Sequence, residues 1–185
     1  KLLWTENPDE LRERVDEVLA AVKIDRPVQV PTAPLIAKCF HDSASLHTLL
    51  RIRDEVLNQQ NTDGIAELLW LAFISIIRAC SPAGTAQWQY VLPNKTKSRV
   101  AEPLSAFASA GELFASDMEK RQFLLGDNPA TATILHSDAR NLVGVKDNWA
   151  EAVITSPPYA NNYDYADTLR LEQILLGEIE GWKDL

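Results

Sequence analysis

Glycine is scarce in this chain and always isolated. The seven glycines, Gly64, Gly84, Gly111, Gly126, Gly144, Gly177 and Gly181, never form a Gly-x-Gly pattern. No glycine-rich loop is therefore present to let the backbone close on a phosphate or a cofactor. Cysteine is nearly absent. Cys39 and Cys80 stand far apart, which excludes a disulfide framework and reads as two free thiols of a reducing compartment, the cytoplasm. His41, His47 and His136 add no second ligand pair at zinc spacing, so no metal site is expected. Basic charge is in deficit: 18 Lys and Arg face 26 Asp and Glu, for a net charge of −8. That is the wrong sign for a dedicated nucleic-acid-binding module. No apolar run reaches the ~20 residues of a bilayer span, and no signal peptide follows Lys1.

What is present describes a globular α/β protein. The chain has 185 residues, 46% of them apolar, enough for one domain with a core. Asn7-Pro8-Asp9-Glu10 starts a helix: a cap, a proline in the first turn, then acids at the positive end of the dipole. Leu11, Val15, Val18, Leu19 and Val22 follow at helical spacing. Pro27, Pro31 and Pro34 make residues 26–34 an extended connector. A second helix is expected from Ser43 to Leu57, with Arg51, Arg53, Asp54 and Glu55 as its solvated face. Thr62-Asp63 caps a third, from Ile65 to Ala79, which is apolar nearly all round and reads as a buried core helix. Residues 81–100 read as irregular and polar, with Trp88 and Tyr90 near a small basic cluster of Lys95, Lys97 and Arg99. That cluster is either a phosphate contact or a solvated loop. Glu102-Pro103 opens a helix that runs to about Leu125, with Leu104, Phe107, Phe114 and Met118 on one face, and Gly126-Asp127-Asn128-Pro129 ends it.

The last third changes character. Residues 131–136 alternate and are β-branched, which predicts a strand. Ala152 to Thr155 predicts another. Asp138 lies just past the end of the first, and Ser156 comes 18 positions later at the end of the second. One crossover fits that interval, and right-handed connection puts Asp138 and Ser156 on one edge of a parallel sheet. Two prolines cannot continue the second strand, so Ser156-Pro157-Pro158-Tyr159 forms a stiff turn at its carboxyl end, where open α/β sheets bind ligands. The Pro157 peptide offers a carbonyl, Ser156 a hydroxyl and Tyr159 a flat face. Two acceptors beside an aromatic ring suit a planar amine such as the NH2 of a nucleobase. A plain Pro-Pro turn closing a strand has the same residues. A helix from Asp167 to Leu176 follows and stops at Gly177.

Thr155-Ser156-Pro157-Pro158-Tyr159 resembles the catalytic motif of the S-adenosylmethionine-dependent amino-methyltransferases of DNA. Serine in the first position of the motif is similar to the cytosine-N4 branch; the adenine-N6 branch more often has Asp or Asn there. Asn161-Asn162-Tyr163-Asp164-Tyr165 and Leu169-Arg170-Leu171-Glu172 also look like family members, and the likeness covers roughly the last third of the chain. It implies a doubly wound, mostly parallel Rossmann-like sheet with a helical insertion or flank. It divides the chain into an N-terminal helix and connector (1–34), a mainly helical region (35–125) and an α/β catalytic segment (126–185).

The resemblance further implies S-adenosylmethionine as cofactor and DNA as substrate, with site-specific methylation of the restriction–modification type. Asp138 would accept from the adenine amine of the cofactor, with Ala139 and Thr155 beside it; a helix or turn cap is the alternative role for Asp138. Asn161 and Tyr163 would line the base pocket, or form a polar loop with an aromatic anchor, and Lys95, Lys97 and Arg99 would meet phosphates. The target base would flip out onto Tyr159, and its nitrogen would attack directly with no covalent enzyme intermediate. A cysteine nucleophile for carbon methylation does not fit, since Lys38 and Ala79, not proline, precede the cysteines. The glycine-rich loop and ribose-binding acid of the family are unmatched. Because residues 1–22 resemble the region just after that acid in some members, the chain reads as a piece of a larger methyltransferase domain, its loop supplied by the same gene or a partner chain. Adenine-N6, RNA or protein amine methylation, and a non-catalytic fragment, are the rival readings.

Overall fold

The computed structural model describes residues 3–59, 63–85, 91–126, 132–135, 137–156 and 165–184. Six α-helices and one two-stranded sheet are found among them: α1 (Pro8–Ala21), α2 (Pro34–Cys39), α3 (Ser43–Asn58), α4 (Gly64–Cys80), β1 (Ala83–Thr85), β2 (Val91–Thr96), α5 (Pro103–Leu125) and α6 (Tyr165–Leu176). The architecture is mixed α/β and mostly helical.

Each long helix begins as its sequence dictates. Asn7 accepts from the Asp9 amide at 2.9 Å, Asp42 from Ala44 at 2.9 Å, and Asp63 from Ala66 at 2.7 Å. Glu102 caps α5 through the amides of Leu104 and Ser105. The apolar helix α4 lies at the centre, packed against α1, α3 and α5, while α1 also packs on α5. Ile65, Leu69, Phe73 and Ile77 of α4 are buried, as are Leu11 of α1 and Phe107 of α5.

The buried stripe of α1 also contains Arg14, whose Nη1 donates to both carboxylate oxygens of Asp63 at 2.9 Å. Asp63 thereby caps α4 and ties it to α1, and the Ala66 amide with the Arg14 guanidinium holds its carboxyl below the usual range. Cys39 and Cys80 are buried free thiols, pushed up by burial to about 11 and about 12. They stay protonated at neutral pH, when only the thiolate is nucleophilic.

The α1–α5 contact is close. A Cβ at Gly111 would stand 2.6 Å from Cγ2 of Val15. Valine is stiff at χ1, so it cannot swing aside. Gly111→Ala gains up to about 1 kcal/mol of helix propensity but overpacks the contact at about 1–3 kcal/mol. The expected outcome is a net loss, read as a lower urea midpoint; a raised midpoint would show that the two helices separate freely.

Four expectations differ from the structure. Residues 81–100 are not simply irregular: β1 and β2 pair antiparallel, with a register break between Ala83 and Gly84. Arg51, Arg53 and Glu55 are not a solvated face but half-buried ties. Arg51 donates to the Arg26 carbonyl at 2.9 Å, Arg53 to the Leu175 carbonyl at 3.0 Å, and Glu55 accepts from Arg26 at 2.5 Å. The connector region also ends in a short helix, α2, that periodicity did not announce. Residues 132–135 and 152–155, expected in strands, form no strand pairing, and the described residues contain no parallel sheet.

Candidate functional site

The segment leading to the Ser-Pro-Pro-Tyr motif is open. Residues 132–135 and 137–156 are exposed throughout. Ile154 is 99% exposed and Val153 81%, although both are β-branched residues suited to a buried strand. Thr155 and Ser156 close this stretch, both exposed. Pro157, Pro158, Tyr159, Asn161 and Tyr163 lie outside the described residues.

Asp138 organises a turn. Its carbonyl accepts from the Asn141 and Leu142 amides at 3.0 and 3.1 Å, and its carboxylate accepts from the Arg140 amide at 2.9 Å. The Arg140 guanidinium closes on both carboxylate oxygens, at 3.0 Å from Nε and 2.5 Å from Nη2. That guanidinium and amide hold the Asp138 carboxyl below the usual carboxylate range, so it is an anion at neutral pH. The capping role weighed from sequence is therefore present. Ala139 is the next residue of the turn and is exposed. Asp138 offers a charged acceptor, but with Ala139 and Thr155 equally exposed these residues do not by themselves enclose a cofactor.

Of the basic cluster, Lys95 on β2 and Arg99 are exposed. Lys97 is half-buried and its Nζ donates to the Arg78 carbonyl at the end of α4. Burial holds its pKa below the usual lysine value. Lys97 thus serves the joint between α4 and the hairpin.

Downstream of the Ser-Pro-Pro-Tyr motif, α6 is part of the helical body. Thr168, Leu171, Ile174 and Leu175 are buried, and so is Glu172, which pairs with Arg78 of α4. Two clefts flank α6. One, of about 510 Å³, lies against the proline-rich connector and is bounded by Val30, Pro34, Arg53, Ile174 and Glu180. The other, of about 390 Å³, brings Lys38 of α2 and Pro93 of β2 beside Arg170. Sequence reasoning missed Arg78 and Arg53 as partners of α6. The available signal was Glu172, a charge that helical spacing places on the same face as Leu171 and Leu175.

Among the described residues, no group of three or more His, Cys, Asp and Glu is placed to hold a metal ion. No helix there is long and apolar enough to cross a membrane.

No protein-family model matches the chain, and no solved structure matches it. The chain is 28% identical, over 144 residues, to the type II methyltransferase M.BsoBI of Geobacillus stearothermophilus. The match takes in 65% of this chain and 28% of the relative, so the chain spans well under half of that protein's length.

Proposed function

We propose that this chain carries the catalytic turn and helical flank of a DNA methyltransferase that modifies the exocyclic amine of a flipped base, cytosine N4, with S-adenosylmethionine as methyl donor. The observation that carries the reading is Thr155-Ser156-Pro157-Pro158-Tyr159, set where a β-branched run meets two prolines. The 28% identity to a type II methyltransferase supports it. The proposal includes a parallel sheet in which residues 131–136 and 152–155 are neighbouring strands, a reading that rests on their β-branched, alternating sequence.

The cofactor, when bound, supplies an electrophilic methyl group. This chain's residues prepare the other reactant. The amine's lone pair is delocalised into the base. Hydrogen bonds accepted by Ser156 Oγ and by the Pro157 carbonyl favour a pyramidal nitrogen whose lone pair is free. Tyr159 holds the ring by stacking, and most of the rate comes from this positioning. Asp138, an anion at the end of the preceding run, is assigned to the cofactor's adenine amine, with Ala139 and Thr155 beside it. Lys95 and Arg99 are assigned to the DNA backbone, with Asn161 and Tyr163 near the base.

One observation favours a second reading, a piece that is inactive alone: the whole of 137–156 is exposed, and no two glycines form a cofactor loop. The test is product analysis of digested DNA by mass spectrometry after incubation with the full-length gene product. N4-methylcytosine upholds the reading. Finding 5-methylcytosine, or methyl groups only on RNA or protein, overturns it. In the same assay Tyr159→Ala is expected to lose most of the transfer and Tyr159→Phe to keep most of it. Stacking on an aromatic face is worth roughly 1–3 kcal/mol per base, and phenylalanine retains that face. Equal loss in both variants would give the role to the hydroxyl.

A further inference from the structure

The smaller cleft beside α6, of about 390 Å³, carries a charge pattern unlike the rest of the chain. Three elements build it, since α2 packs on both β2 and α6. Lys38, in the last turn of α2, and Arg170 of α6 bring two cations to it, and Glu180 brings one carboxylate. Pro34, Pro93 and Ile174 give it apolar walls. The cleft is thus a local reversal of sign in a chain of net charge −8. Elsewhere in the helical body the cations face carboxylates: Arg12 meets Glu112 and Glu119, Arg14 meets Asp63, and Arg26 meets Glu55. Lys38 is different. It is exposed, and among the described residues its ammonium has no carboxylate or hydrogen-bond partner. Arg170 is half-buried, with Nε 3.2 Å from Oδ1 of Asp167. A guanidinium has five donors in a fixed fork and serves several acceptors at once.

The ligand class follows from these groups. A guanidinium fork matches two oxygens of a phosphate, and an ammonium adds a point charge. Apolar walls of low dielectric concentrate the field of both. Lys95, exposed on β2 two positions past Pro93, continues the positive surface beyond the cleft. An acidic chain meets a polyanion only through such a local patch.

We infer that the cleft between α2, β2 and α6 seats a phosphate of the DNA backbone, held by Lys38 and Arg170. The choice of DNA rests on the methyltransferase reading above. Non-specific binding to a duplex is almost wholly electrostatic, so the test needs no recognition sequence. It uses the full-length gene product and a fluorescein-labelled duplex of mixed sequence, titrated by anisotropy at several salt concentrations. Lys38→Gln is expected to weaken binding several-fold at low salt. The slope of log K against log salt should shrink by about 0.9, the value for one phosphate contact on duplex DNA. Lys38→Arg should restore both, and Glu180→Gln should tighten binding by removing the one carboxylate of the cleft. Lys23→Gln is the control: Lys23 is exposed just after α1, and its loss changes the net charge equally without touching the cleft. In the methylation assay Lys38→Gln should raise KM for DNA and leave kcat in place. A wild-type salt slope in Lys38→Gln overturns the inference, and so does an equal loss in Lys23→Gln, which would report net charge alone. If the wild type binds the duplex but methylates no DNA, the functional reading falls and the salt slopes decide on the cleft by themselves. A wild type that binds no duplex overturns the cleft whatever its activity.

Discussion

Ser156→Ala in the full-length gene product is expected to lower turnover by on the order of 10²–10³, the usual cost of removing one well-placed polar contact from a transition state. The loss should fall on kcat and leave KM for DNA nearly unchanged, because the contact matters most once the nitrogen begins to pyramidalise. Activity should not vanish, since the Pro157 carbonyl still accepts one hydrogen bond. The hydroxyl cannot act as a strong base at neutral pH, unlike a carboxylate, so the nitrogen attacks first and loses its proton late, to water. Ser156→Asp, which recreates the other branch's motif, should therefore retain activity and can extend the substrate to adenine. Single-turnover assays with mass spectrometry of digested DNA check all three statements. A Ser156→Ala enzyme at the wild-type rate would remove the hydroxyl from the chemistry, and loss of all transfer in Ser156→Asp would remove the parallel between the branches.

The long helices could be read from the chain because their determinants are local. Asn7 and Asp63 bond to amides two and three residues away, and the stripes of α1 and α5 recur within one or two turns. What escaped was set by distant partners. Arg14 lies in a core stripe only because Asp63 and Gln59 meet it from across the bundle. Arg53 looked solvated until the Leu175 carbonyl was placed over it. The β1–β2 hairpin is short, carries a register break and includes Pro93, so no clean alternation marks it. Helix α2 spans six residues between a proline-rich connector and Phe40, too few for periodicity to register.

The candidate site divides along the same line. The motif is a matter of residue identity and can be read without coordinates. Whether Asp138 and Ser156 share an edge depends on a sheet whose pairing is non-local. The described residues 132–135 and 152–156 form no such pairing, and Ile134, Val153 and Ile154 are exposed. The carboxylate assigned to a cofactor amine is for now engaged by Arg140. An ionised carboxylate has about four lone-pair sites, so a further donor can be accepted.

Phe73→Ala is expected to destabilise the protein by about 3–5 kcal/mol, the range for truncating a fully buried phenylalanine. Phe73 is 0% exposed at the centre of α4, and its ring meets Trp70 at 5.6 Å with planes tilted by 33°, an arrangement that adds to its burial. Three elements, α1, α3 and α5, close on this helix, so little can collapse into the space left behind. Domains have only about 5–15 kcal/mol in all, which makes the loss a large share. Leu71 supplies the control. It lies two residues away, is as apolar in sequence, and is 46% exposed; surface changes of this kind stay near ±0.5 kcal/mol, with a little more for its half-covered side. Urea unfolding of the two alanine variants, with unchanged slope as the check on two-state behaviour, measures the difference directly. Equal losses at Phe73 and Leu71 would mean that α4, apolar nearly all round in sequence, is buried all round as well, with a further layer of protein against the side that carries Leu71.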